Sequence, residues 1–146
     1  MTVTVDRTYP QTHPGTLHPL HILLLAGAVP LFLGALLSDL AYSSSYQIQW
    51  ANFASWLIAG ALLFTGLALL CAIVGWARAD NRYRYTIIYP LLLLVTWVLG
   101  FINALIHAKD AWASMPTGLT LSVVVTLLIF ITAWIGLIRS HTGGAQ

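Results

Sequence analysis

The sequence predicts an all-α integral membrane protein built as a four-helix, up-down-up-down bundle. Three observations carry this. Of 146 residues, 59% are hydrophobic and only 7% charged. Soluble domains carry about 25% charged residues, so this chain cannot clothe a water-facing surface. Four apolar runs succeed one another, each with roughly the 20 residues a helix needs to cross about 30 Å of hydrocarbon. They lack the strict alternation of a membrane β-strand, and in lipid only helices or closed barrels satisfy every backbone group. The connections SSSYQIQW, ARADNRYR and KDAWASMPT have no room for a soluble domain and set consecutive helices side by side in opposite directions.

Residues 1–17 form a polar segment whose acid precedes its only arginine, with no short apolar core and small-residue cleavage site, so it reads as retained rather than as a secretory signal. The transmembrane domain covers 18–140. Its first span is 21–42, HILLLAGAVPLFLGALLSDLAY, where Pro30 removes one backbone bond and predicts a kink. The second span is 51–76 and the third 85–108, with Pro90 near its start. The fourth is 118–138, its start marked by Pro116 with Ser114 nearby. A short polar tail, 141–146, ends the chain.

With four spans, both termini and the middle loop share one side. That side holds Arg7, Arg78, Arg82, Arg84 and Arg139, against Lys109 alone on the other. The positive-inside rule then places both termini in the cytoplasm. Tyr42, Tyr46, Trp50 and Trp112 fit an outer aromatic belt, and Trp76, Tyr83 and Tyr85 an inner one. The net charge of +2 and dispersed basic residues argue against nucleic-acid binding. The single cysteine, Cys71, reads as a small buried hydrophobe.

Helices associate in lipid through small and polar residues. In the third span Thr96, Gly100, Asn103, His107 and Asp110 are spaced by 4, 3, 4 and 3, one helical face. The other spans offer Gly27, Gly34 and Ser38; Asn52, Ser55, Ala59 and Gly66; and Ser122, Thr126, Ala133 and Gly136. These faces are expected at the bundle axis.

Two groups could carry chemistry. His13, His18 and His21 lie at the cytoplasmic start of the first span, and His18 and His21 share a face if the helix begins at Pro19. They read either as interfacial rings at headgroup level or as haem or metal ligands. At the outer end, Asp39, Asn52, Asn103, His107 and Asp110 form a polar cluster. A contact between Asp39 and His107 would be either a clasp fixing helix register or a proton or ligand site. His107 stands about 30 Å from the other pair across the bilayer, so one iron cannot take both. There is no phosphate loop, metalloprotease helix, nucleophile elbow or Cys–His nucleophile pair, and the acids are Asp6, Asp39, Asp80 and Asp110 with no Glu. The chain does not read as an enzyme on its own.

LHPLHILLLAGAVPLFLGALLSDLAY resembles the opening of a bacterial four-helix membrane family, domain of unknown function 2231. The shared marks are His18-Pro19, Pro30, Asp39, a second helix ending in AIVGW, and a third helix carrying Asn103 and His107. The likeness covers about residues 16–140. It departs after His-Pro, where the family often has a second proline and no histidine, which supports His21 less than His18. The resemblance implies a membrane anchor or electron-transfer module contacting haem b or quinone. His18, His21 and His107 would then be the cofactor candidates, and a periplasmic dehydrogenase or cytochrome the partner. The residues leave two other readings open: a cofactor-free structural or assembly protein, and a small proton-linked transporter using Asp39 and His107. Self-association is also left open.

Overall fold

The computed structural model describes residues 19–78, 87–109 and 111–142. They form α1 (Pro19–Ser45), α2 (Ile48–Arg78), α3 (Ile88–His107), α4 (Ala111–Ser114) and α5 (Thr117–Thr142). Four of these, all but the single turn α4, are long and apolar enough to cross a membrane, and the described residues contain no strand. α1, α2 and α5 run beyond the spans expected for them, and α3 lies within its own. The serines after Tyr42 stay helical, with Ser43, Ser44 and Ser45 each bonding a carbonyl of the preceding turn. Only Tyr46 and Gln47 separate α1 from α2, and Tyr46 takes the left-handed conformation (φ 54°) that turns a chain out of a helix.

The long helices close a ring in which α1 and α3 each pack on both α2 and α5. This leaves α1 and α3 facing one another across a diagonal. Small residues set the closest approach. Gly27 and Gly34 of α1 receive Phe64 and Leu57 of α2, and Gly60 of α2 receives Leu31. Gly66 makes room for the Trp97 indole, which donates to the Leu62 carbonyl at 3.2 Å, and Gly100 faces Leu62 and Phe32. The central core is Ala28, Phe32, Ala61, Leu93, Val125 and Ile129. Hydroxyls in the spans are satisfied locally: Ser38, Thr65, Thr96 and Thr132 donate to the carbonyl four residues back. Thr126 instead reaches the Phe32 carbonyl of α1 at 3.2 Å.

Two expectations change. The inner face of α2 is Ala51, Ala54, Ile58, Ala61, Thr65 and Ala68, whereas Asn52 and Ala59 are exposed. Asn52, near its helix end, lies where headgroup water can solvate it. Tyr42 is not a belt residue: it is 2% exposed and packs inward. α1 runs on through Pro30, whose missing N–H leaves the Ala26 carbonyl without its helical donor. Both residues line an apolar groove of about 450 Å³ between α1 and α5, with Ala133, Trp134 and Gly136 on its other side.

The glycine contacts predict opposite signs for two like substitutions. A Cβ at Gly27 would lie 2.7 Å from the Phe64 ring, so Gly27→Ala should destabilise the bundle by about 1–3 kcal/mol through overpacking. Gly75 has nothing within 4 Å, and Gly75→Ala should stabilise by about 0.5–1 kcal/mol, the helix-propensity gain. Reversible unfolding in detergent micelles distinguishes the two.

Candidate functional site

Asp39 is fully buried on α1, four residues past the buried Ala35 and three before Tyr42, on the inward stripe of that helix. A carboxyl group there is untenable without partners. α3 and α5 supply them. Ser122 Oγ donates to Asp39 Oδ2 at 2.5 Å, and His107 Nε2 meets Asp39 Oδ1 at 2.8 Å. The Asn103 amide donates to Ser122 Oγ at 2.9 Å, and His107 Nδ1 lies 3.0 Å from the Asn103 carbonyl. The four residues thus close a circuit over three helices, its last link made by the Asn103 backbone carbonyl, with His107 and Asp39 side chains 1% and 0% exposed. Gly118 on α5 is part of the arrangement. A Cβ there would stand 2.8 Å from His107 Cε1, so glycine is what lets the ring lie against α5.

A second pair crosses the same diagonal at the other end. His21, 2% exposed, meets the Tyr89 hydroxyl through Nε2 at 2.5 Å, and the Ala68 backbone is its second hydrogen-bonding neighbour. Both pairs join residues 68 apart in sequence. α1 and α3 therefore run in the same sense, in register, and are tied at both ends.

The structure brings together Asp39, Asn103 and His107 and adds Ser122, which the sequence suggests only as a packing residue. Asn52 stays out, exposed on α2. His18 and Asp110 lie outside the described residues. Sequence reasoning misses Tyr89 and Gly118. The signal for Tyr89 is the shared offset: once Asp39 is set against His107, the same shift from His21 lands on a tyrosine. Gly118 is hidden because it sits at the start of α5, in a different helix from the ring it touches.

The described histidines, His21 and His107, use ring nitrogens for partners inside the bundle. An imidazole ligates through a nitrogen lone pair. In His107 both nitrogens are engaged inside the bundle, and in His21 Nε2 is held by Tyr89 in a ring sealed from the surface. Among the described residues no three His, Cys, Asp or Glu side chains are grouped to hold a metal ion.

The circuit makes Gly118→Ala a test of ring placement. It should destabilise by about 1–3 kcal/mol as the imidazole is forced off Asp39. In a His107→Ala background most of that cost should vanish, a coupling of roughly 1 kcal/mol or more in a double-mutant cycle. Additive losses would mean that His107 is not what Gly118 accommodates.

Residues 17–144 match the model of a family described as "Predicted membrane protein (DUF2231)". No curated protein and no solved structure matches the chain.

Proposed function

The chain belongs to the DUF2231 family of predicted membrane proteins, and on that premise we propose that it is a cofactor-free anchoring or assembly module of the bacterial inner membrane. One observation carries this reading: the buried ionisable side chains of Asp39, His21 and His107 meet partners inside the bundle. Asp39, His107, Ser122 and Asn103 bind the outer ends of α1, α3 and α5, and His21 with Tyr89 binds the other ends of α1 and α3. A bundle fastened at both ends is a stiff platform, and its short connections leave little of the chain outside the bilayer to do chemistry. Its partner, on the family resemblance alone, would be a periplasmic dehydrogenase or a cytochrome. The electron-transfer reading rests on that resemblance as well, and the engaged histidine nitrogens speak against it. Both termini are proposed to lie in the cytoplasm, from the distribution of arginines.

Absorption spectra of the purified protein, produced with ample haem, are expected to be flat in the visible region, both oxidised and dithionite-reduced. His107→Ala should then lower unfolding stability by about 3–5 kcal/mol by removing one partner of the buried Asp39–His107 pair. Sharp reduced bands that vanish in His21→Ala or His107→Ala would sink the anchoring reading in favour of a haem protein. A reporter fused after Gln146 should be active only in its cytoplasmic form, and one inserted at Gln47 only in its periplasmic form.

A further inference from the structure

The geometry fixes the proton count of the outer circuit. A backbone carbonyl can only accept, so the His107 Nδ1 that meets the Asn103 carbonyl carries a hydrogen. A contact of 2.8 Å between Nε2 and Asp39 Oδ1 needs one further hydrogen between them. Whichever atom it sits on, the pair is neutral as a whole: imidazolium with carboxylate, or imidazole with carboxylic acid. Loss of that proton to water would leave a neutral imidazole beside a carboxylate, a buried charge of −1 and two lone pairs face to face. Uptake of a second would leave imidazolium beside carboxylic acid, a charge of +1. The site therefore holds one exchangeable proton in a place where any change in its number changes the charge of the bundle interior.

An open recess lies near it in sequence. A recess of about 280 Å³ is lined by Tyr42, Ser43, Tyr46, Met115, Pro116 and Leu119. Tyr42 lies one helical turn after Asp39. Leu119 adjoins Gly118, whose backbone the His107 ring touches, and lies one turn before Ser122. The lining of the recess thus begins one turn from Asp39 on α1 and next to Gly118 on α5, and neither Asp39 nor His107 is part of it. Asn103 Oδ1, within the circuit, is a buried acceptor that meets no donor. Turning the amide over does not repair this, because the Ser122 hydrogen is already given to Asp39 and the NH₂ would be orphaned instead. A lone buried acceptor beside a proton-sharing pair suits a water molecule. The other ionisable groups at this end are Tyr42, Tyr46 and the exposed Lys109; α2, α4 and α5 present none there among the described residues.

We propose that Asp39 and His107 form a proton-binding site that exchanges its proton with water through the recess between Tyr42, Tyr46 and Leu119. Anchoring does not require this, and the two readings fail separately: a haem spectrum that is lost in His21→Ala and survives in His107→Ala would overturn the first without touching the second.

The test uses the full chain in lipid nanodiscs with ¹⁵N-labelled histidine, the His107 signals being assigned by their loss in His107→Gln. The wild type should show Nδ1 protonated at every pH at which the bundle is folded, and a single proton on the Nε2 side that exchanges with deuterated water. Leu119→Trp fills the recess without touching either partner. It should leave the His107 shifts in place and slow that exchange by about tenfold or more, because the proton must then wait for a larger opening. Equal rates in wild type and Leu119→Trp would overturn the proposal, as would a wild-type proton that never exchanges in the folded state. Asp39→Asn should abolish the shared proton while Nδ1 keeps its own. If that variant does not fold, the Leu119→Trp comparison decides alone.

Discussion

A carboxyl group inside a bundle that faces hydrocarbon has to find its partners within the protein, and one end of this structure is organised around that of Asp39. Its two oxygens take a serine from α5 and a histidine from α3, and an asparagine ties those two together. Interhelical hydrogen bonds in membranes are individually modest, averaging roughly 0.6 kcal/mol. The strength of the circuit lies less in their sum than in the penalty for removing one, a buried charge or an orphaned donor that costs several times as much. Such a network tolerates one arrangement of three helices and penalises the rest.

The His21–Tyr89 pair extends that constraint along the bilayer. Two ties across one diagonal, at a common sequence offset, fix both the direction and the axial register of α3 against α1. The apolar core between them fixes neither, because leucine packed on leucine differs little from leucine packed on lipid. What the core adds is proximity. Gly27, Gly34, Gly60, Gly66 and Gly100 let side chains of neighbouring helices seat against the backbone, the short-range packing that replaces the hydrophobic effect where the solvent is itself apolar. Register from polar pairs and closeness from small residues are separate contributions, and the bundle uses both.

The spacing of polar residues on α3 is legible in the sequence because one helix face is a local property. Thr96, Gly100 and Asn103 are buried as their intervals require, and the His107 side chain is sealed with them. The inner face of α2 is not legible in the same way, for a reason equally physical. Asn52 and Ser55 sit near an end, where water is available, so polarity there does not mark the inner face; the run of alanines does. Tyr42 reads as an interfacial aromatic because depth along a helix says nothing of rotation about it.

The sequence by itself determined the solvent, the number of spans and the class of residue that must face inward, because those depend on composition and on a helical period. Only the tertiary structure decided which polar residues meet. That Tyr89 closes on His21, that Ser122 serves Asp39, and that Gly118 leaves space for the His107 ring are relations between separate helices. They are settled by the rotation and offset at which those helices pack, which no single helix encodes.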